Sequence, residues 1–127
     1  MPAENPNLRG IHYLRSIDDV EMIKSSLKGS KNMVIIGGGY IGLEVAAVAK
    51  TLGLNVTVLE MASRILERVT SPTISSFYNS FHESRGVKIL TNTLVQGING
   101  DNRVSSVETS SGSIEADIVI VLSLIHI

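Results

Sequence analysis

The sequence of 127 residues contains no cysteine and no tryptophan, and only 4% of its residues are aromatic. Without cysteine, the chain can hold no redox dithiol, no cysteine nucleophile and no thiolate-bound metal. The three histidines, His12, His82 and His126, lack the spacing of metal ligands. We therefore predict no metal site and no catalytic residue within this chain, and a disulfide reductase mechanism would need another polypeptide segment.

Charge is also sparse, because charged residues make up 18% of the chain and the formal net charge is −1. No cluster of Lys and Arg provides the electrostatic footprint that nucleic acid or an anionic membrane requires. No apolar run approaches the roughly 18 residues of a membrane-spanning helix, and the N-terminus lacks the basic and apolar regions of a signal peptide. The sequence thus excludes nucleic acid and membranes as partners and predicts a cytoplasmic protein.

The most informative segment is MVIIGGGYIGLEVAAVAKTLGLNVTVLE, which begins at Met33 and ends at Glu60. Its apolar start predicts a strand, and Gly37, Gly39 and Gly42 then fill the three glycine positions of G-x-G-x-x-G. The first glycine permits a sharp turn, the second lets backbone amides approach a pyrophosphate, and the third lets the following helix lie close to the sheet. The N-terminus of that helix is a ready anion site. The segment therefore predicts a dinucleotide-binding βαβ unit.

The second strand of this unit ends in a carboxylate. Gly53 terminates the helix, and Asn55–Leu59 is rich in β-branched residues, so we predict a strand that leads into Glu60. A carboxylate about 20 residues beyond the glycines can accept hydrogen bonds from an adenine ribose diol, but it repels a 2′-phosphate by roughly 1 to 4 kcal/mol at about 4 Å. We expect NAD(H) to be favoured over NADP(H) about tenfold or more. Arg64 opposes this preference, because its guanidinium could reach a phosphate.

The remaining segments complete one α/β domain, as expected for this length and 43% hydrophobic residues. Capping residues, helix-stop glycines and β-branched runs predict helices over residues 16–28 and 72–84, and strands over residues 87–90, 93–97, 103–109, 113–115 and 118–121. The turn residues 99–102 and 110–112 separate the middle three strands, which predicts an antiparallel pairing. The predicted fold class is α/β, a Rossmann-like parallel sheet with a small antiparallel β-meander.

An S-adenosylmethionine-dependent methyltransferase is the nearest alternative, because it also places glycines after its first strand and an acid after its second. That cofactor has no pyrophosphate, so three glycines leading into a helix favour a dinucleotide. Glu60 taken alone could be only the solvated end of a strand. Its assignment to the ribose therefore depends on the glycines that precede it.

Three segments of the sequence are similar to segments of a known protein family: HYLRSIDD, GGGYIGLEVAAVAKTLGLNVTVLEMASRILERV and ADIVIV. Together they resemble the NAD-binding domain of FAD-dependent ferredoxin reductases of the putidaredoxin and rhodocoxin reductase type, within the pyridine nucleotide-disulfide oxidoreductase superfamily. Rubredoxin reductases, NADH oxidases and nitrite reductase domains contain similar segments. The resemblance implies a cofactor site for NAD(H) formed by Gly37, Gly38, Gly39, Tyr40, Ile41, Gly42, Glu44, Glu60 and Arg64.

Two of these residues have specific implied roles. In the superfamily, the glutamate at the position of Glu44 reaches the nicotinamide carboxamide, and the aromatic residue at the position of Tyr40 borders the nicotinamide pocket. Each has a structural alternative. Glu44 would be favoured in the first turn of a helix by the helix dipole alone, and Tyr40 could simply pack at the turn.

The resemblance also implies a function for the intact protein. NADH would pass a hydride to FAD on a domain outside this chain, and electrons would continue to a 2Fe-2S ferredoxin or rubredoxin-type carrier. We expect residues 1–10 to be a linker, residues 11–121 the NAD(H)-binding Rossmann domain, and residues 122–127 a non-native or truncated tail. The chain would then be a fragment that is inactive alone. The alternative is a stand-alone, non-catalytic NAD-binding module.

Overall fold

The computed structural model describes residues 9–14, 29–37, 40–60 and 71–122, with the backbone alone for Leu14 and Tyr40. These residues form two helices and eight strands. In chain order they are β1 (Ile11–Leu14), β2 (Asn32–Ile36), α1 (Tyr40–Thr51), β3 (Asn55–Leu59), α2 (Pro72–Ser84), β4 (Lys88–Leu90), β5 (Val95–Gly100), β6 (Val104–Thr109), β7 (Gly112–Glu115) and β8 (Ile118–Leu122).

Five of the strands form a parallel sheet in the order β1-β8-β2-β3-β4. Strand β8 lies between β1 and β2, so that Val119 is the partner of Ile11 on one side and of Val34 on the other. All five residues of β8 are buried. A strand covered on both faces needs an uninterrupted apolar sequence, which is what IVIVL provides. The predicted strand over residues 118–121 is confirmed and extends one residue further.

Alternate residues of the sheet face two separate layers. Met33 and Ile35 of β2 pack in a cluster with the buried side of α1, which includes Ala46 and Ala49. Tyr78 of α2 packs against the same cluster. The neighbouring residues of β2 point the other way and join a second cluster with β5, β6 and β7. The two helices and the small antiparallel sheet therefore cover opposite faces of the parallel sheet.

The fold class predicted from the sequence is confirmed, because the structure contains both the parallel sheet and a small antiparallel sheet with the strand order β5-β6-β7. The predicted helix over residues 72–84 is also confirmed, with Ser71 as N-cap accepting a hydrogen bond from the Ile74 amide at 3.3 Å. Gly53 and Gly86 follow α1 and α2 with positive φ angles of 91° and 96°, as helix-stop glycines do. The predicted helix over residues 16–28 lies outside the described residues.

The predicted bounds of the first meander strand were wrong. The sequence placed it at residues 93–97 and the following turn at 99–102, whereas β5 runs from Val95 to Gly100. Thr93 is not part of β5, because its amide donates to the Glu60 carbonyl at 3.0 Å and so bonds to a residue outside the meander. At the other end, a register shift between Asn99 and Gly100 lets the ladder continue until Gly100 pairs with Val104.

Strand β1 was not predicted from the residue pattern, although it pairs along its whole length with β8. The backbone before it also bonds to the domain, because the Arg9 amide donates to Asn102 at 3.0 Å and the Val119 amide donates to Gly10 at 2.7 Å. Residues 1–8 of the predicted linker lie outside the described residues, and the domain boundaries remain predictions.

A single carboxylate joins the starts of two neighbouring strands. Asp117 accepts hydrogen bonds from the amides of Lys31, at 3.0 Å, and Asn32, at 2.9 Å, while its own amide donates to the Asn32 carbonyl. We expect Asp117→Ala to lower the free energy of unfolding by about 1–3 kcal/mol, because it removes hydrogen bonds to a charged acceptor. Urea denaturation would measure the loss, with the exposed Asp101→Ala as control. An equal loss in both variants would contradict the assignment.

Candidate functional site

The candidate site lies where β2 and β3 end. Gly37 follows β2 and Glu60 follows β3, and the two strands are parallel neighbours in which Ile36 pairs with Leu59. The Gly37 amide donates to the Leu59 carbonyl at 2.9 Å, so the glycine turn begins beside the residue that precedes Glu60. The structure thus brings Gly37 and Glu60 to the same edge, although they are far apart in the sequence.

The order of strands reverses direction at this edge of the sheet. From β2 the chain continues outward through β3 to β4, whereas β8 and β1 lie on the other side of β2. In open parallel sheets, ligands bind beyond the carboxyl ends of the strands where the order reverses in this way. Helix α1 begins at Tyr40, soon after β2 ends, so its N-terminus lies at the same edge. The first amides of a helix have no partner within the helix itself and are suited to bind an anion.

Gly37 and Gly42 each disfavour a side chain, for different reasons. Gly37 has a φ of 114°, which L-residues with a side chain rarely adopt. A Cβ on Gly42 would lie 2.5 Å from the carbonyl oxygen of Gly37 and 2.9 Å from Cδ1 of Leu122. The first turn of α1 therefore packs directly on the turn backbone, with the last side chain of β8 beside it. Sequence reasoning missed Leu122, since its contact with the glycines follows only from the central place of β8.

Besides Tyr40 and Gly42, two further predicted site residues lie on α1. Ile41 is partly buried and packs against the core cluster on the helical face of the sheet. Glu44 is exposed and is the fifth residue of α1, which has no acidic residue in its first turn. The expectation that Glu44 occupies the first turn was therefore wrong, because the helix begins at Tyr40. Its interaction with the dipole is correspondingly weaker.

Glu60 is half-buried, and both polar groups of its backbone are paired. Its amide donates to the Leu90 carbonyl at 2.8 Å, and its carbonyl accepts from the Thr93 amide at 3.0 Å. The loop after β4 therefore fixes the backbone that bears this carboxylate. Gly38, Gly39 and Arg64 lie outside the described residues, as does the side chain of Tyr40. Their roles remain predictions.

A buried histidine lies near the helix that bears Glu44. His82 of α2 is 7% exposed, its Nδ1 atom has no hydrogen-bond partner among the residues that the structure describes, and its ring meets the Phe81 ring edge-on at 5.3 Å. Burial lowers the pKa of His82 below its usual value of 6.5; the Glu44 carboxylate partly raises this pKa, and Arg85 lowers it further. Burial and the charge of Arg103 likewise lower the pKa of His12.

These shifts predict a pH-dependent stability. Because the pKa of both histidines is lower in the folded chain than the unfolded value near 6.5, the unfolded chain binds protons first as the pH falls. The contribution of these two histidines to the free energy of unfolding should be fully present above about pH 6.5. It should be lost progressively as the pH falls from that value toward their pKa values in the folded chain. We expect a lower urea midpoint at pH 5.5 than at pH 7.5, with a smaller difference in His82→Gln. An unchanged difference in that variant would contradict a contribution from His82.

Other kinds of site find no support in the part of the chain that the structure describes. There, no group of three or more histidine or carboxylate side chains could hold a metal ion. No helix within residues 9–14, 29–37, 40–60 and 71–122 is long and apolar enough to cross a membrane.

Comparison with known proteins identifies the family. The family model for pyridine nucleotide-disulphide oxidoreductase matches residues 2–123. Rhodocoxin reductase from Rhodococcus erythropolis is 42% identical over 123 residues, covering 95% of this chain and 29% of the relative. Putidaredoxin reductase CamA from Pseudomonas putida is 45% identical over 112 residues, covering 85% of this chain and 26% of the relative.

Solved structures give the same result. The ferredoxin reductase for the CYP199A2 system from Rhodopseudomonas palustris matches with a TM-score of 0.88 and 35% identity, covering 95% of this chain and 30% of that one. The reductase of the covalent putidaredoxin reductase-putidaredoxin complex matches with a TM-score of 0.84 and 40% identity, covering 98% and 33%. The chain thus spans about a quarter to a third of the length of these relatives. The resemblance to ferredoxin reductases is confirmed, and the chain belongs to the pyridine nucleotide-disulphide oxidoreductase family.

Proposed function

We propose that this chain is the NAD(H)-binding domain of an FAD-dependent NADH:ferredoxin oxidoreductase. One observation carries the proposal: the glycine turn and the half-buried Glu60 lie at the same edge of the sheet. There the Gly37 amide donates a hydrogen bond to Leu59, the residue before Glu60. Family membership supports a pyridine nucleotide as the ligand and disfavours the methyltransferase alternative. The names of the relatives, rhodocoxin reductase and putidaredoxin reductase, support a small electron-transfer protein as the partner of the whole enzyme.

The residues present fit NAD(H). A pyrophosphate needs backbone amides without intervening side chains, and a Cβ at Gly42 would fill the space between the turn and α1. The N-terminus of α1 would offset the phosphate charge. In this assignment the turn of Gly37, Gly38, Gly39 and Ile41 holds the pyrophosphate, while Glu44 and Tyr40 lie toward the nicotinamide.

The adenine end would be recognised by charge. Glu60 follows β3 at the edge of the sheet, and a ribose diol can donate hydrogen bonds to its carboxylate. A 2′-phosphate would meet a like charge there, so the proposal includes a preference for NADH over NADPH. Arg64 opposes that preference to the extent that its guanidinium reaches the phosphate.

The chemistry of the whole enzyme depends on groups outside this chain. NADH, when bound, supplies a hydride, and we assign its acceptor, FAD, to the part of the protein beyond this chain. The electrons would leave to a 2Fe-2S ferredoxin or rubredoxin-type carrier. The residues described here bind and orient the nucleotide, so the purified chain should bind NADH without oxidising it.

A titration of the purified chain with NADH, followed by nicotinamide fluorescence, tests the proposal. We expect saturable binding that is about tenfold tighter for NADH than for NADPH. Glu60→Gln should weaken NADH binding and spare NADPH, because the amide has one acceptor oxygen in place of two and lacks the charge that strengthens hydrogen bonds from the ribose and repels a 2′-phosphate. The exposed Glu115→Gln on β7 is the matched control and should bind as the wild type does.

Absence of saturable NADH binding by a chain with a cooperative unfolding transition would contradict the proposal. Binding of S-adenosylmethionine in place of NADH would favour the methyltransferase alternative. NADH-dependent reduction of a dye or ferredoxin by this chain alone would contradict the assignment of the flavin to another part of the protein.

A further inference from the structure

The loop of residues 91–93, after β4, extends the contact between β3 and β4 beyond both strands. The register of the two strands ends where Leu59 pairs with Leu90. Beyond it, the Glu60 amide donates to the Leu90 carbonyl at 2.8 Å and the Thr93 amide donates to the Glu60 carbonyl at 3.0 Å. The end of β4 thus supplies the partner of the Glu60 amide, and the loop supplies the partner of the Glu60 carbonyl.

A side-chain hydrogen bond closes this loop. The Thr93 hydroxyl donates to the Thr91 carbonyl at 2.9 Å, and Thr93 is 3% exposed. Between them, Asn92 adopts a φ of 53°, and among the described residues it alone combines a positive φ with a side chain. Asparagine tolerates this left-handed conformation better than most residues. The turn is therefore held in a conformation that the chain would otherwise seldom adopt.

The far side of the loop is attached to the meander. The Leu94 amide donates to the hydroxyl of Ser110 at 3.0 Å, and the Ser110 amide donates to the Leu94 carbonyl at 2.9 Å. Because the meander packs on the parallel sheet, the loop is fixed at both ends. Glu60 is held from the β4 side by a segment with little freedom to move.

We propose that Thr93 is a positioning residue for Glu60, and that its buried hydroxyl sets how strongly the site distinguishes a ribose diol from a ribose 2′-phosphate. This inference rests on the proposed binding of NAD(H). Without the Thr93–Thr91 hydrogen bond, the loop can relax and the Glu60 carbonyl loses its fixed partner, the Thr93 amide. The carboxylate then no longer stands at one place relative to the glycine turn, which itself keeps its contacts.

Thr93→Val removes the hydroxyl while keeping the shape of the side chain, and NADH and NADPH titrations then measure the effect. We expect NADH binding to weaken about threefold to tenfold with NADPH binding unchanged, so that the ratio of the two affinities falls toward one. Thr93→Ser keeps a hydroxyl and should retain the wild-type ratio. Thr51→Val is the matched control, because the Thr51 hydroxyl also donates to a backbone carbonyl, that of Ala47 at 3.0 Å, and Thr51 is the last residue of α1, remote from this loop.

The outcomes separate this inference from the proposed function. If the wild type binds NADH but Thr93→Val keeps the wild-type ratio, the positioning role of Thr93 is wrong and the proposed function stands. A fall in the ratio for Thr51→Val as large as for Thr93→Val would also overturn the inference. No NADH binding by the folded wild type would overturn the proposed function and this inference together.

Amide hydrogen exchange of the wild type tests the inference without requiring that any variant folds. We expect the amides of Glu60 and Thr93 to be protected and NADH to raise the protection of both, because the ligand holds the carboxylate in place. NADPH should raise it less. Rapid exchange at these two amides, with or without NADH, would overturn the inference.

Discussion

Replacing Gly42 with alanine should weaken NADH binding strongly and destabilise the chain. The new Cβ would lie 2.5 Å from the Gly37 carbonyl oxygen, a backbone atom that cannot move without opening the glycine turn. Alanine is favoured over glycine within helices by about 1 kcal/mol, but the overlap should exceed this gain and lower the free energy of unfolding by about 1–3 kcal/mol. Because the displaced turn is the proposed pyrophosphate site, we expect NADH affinity to fall at least about tenfold.

Gly29→Ala is the matched control for this substitution. A Cβ at Gly29 would meet no atom within 4 Å. Its urea midpoint and its NADH titration should both remain close to those of the wild type. Wild-type NADH affinity in Gly42→Ala would show that the nucleotide does not use this turn, and an unchanged urea midpoint would show that α1 has room to withdraw from the turn.

Ile120→Ala should give the largest loss of stability. Ile120 is 0% exposed at the centre of β8, where it pairs with His12 of β1 and Ile35 of β2. Truncation of a buried isoleucine costs about 2–5 kcal/mol, because transfer energy is lost and a cavity remains. Small domains have a total stability of about 5–15 kcal/mol, so this variant should unfold at a much lower urea concentration.

Ile74→Ala provides the comparison for the core substitution. Ile74 lies on α2 and is 42% exposed, so the same truncation should change stability by less than about 1 kcal/mol. Equal losses for the two variants would contradict the burial of β8 between two layers. A two-state transition with an unchanged denaturant dependence is needed to compare their midpoints.

Local signals made the first βαβ unit predictable. The apolar run of β2, the turn at Gly37 and the stop at Gly53 each act within a few residues, and β3 has the bounds expected from its β-branched sequence. The same is true of α2, whose Ser71 cap and following proline both occur in the expected places. Such elements are specified by the chain segment that forms them, so tertiary contacts did not need to be known.

Elements that depend on distant partners were less predictable. Strand β1 is short and includes polar residues, and it becomes a strand by pairing with β8. The extent of β5 depends on a register shift against β6, which no residue pattern specifies. Within the site, the spacing of Gly37 and Glu60 in the sequence indicated that they would lie close together. Leu122 lies beside the glycines only because β8 is the neighbour of β2, and Thr93 contacts Glu60 only through a backbone hydrogen bond from the loop after β4.

The position of β8 has a consequence for folding during synthesis. A ribosome produces β2, α1 and β3 early, and these can associate as a local unit, but β1 has no neighbour in the parallel sheet until β8 emerges. The pairing of Ile11 with Val119 is a contact of very high sequence separation, which slows folding. Until β8 inserts, the edge of β2 presents unpaired backbone groups beside apolar side chains, and the nascent chain is open to pairing with other chains at that edge.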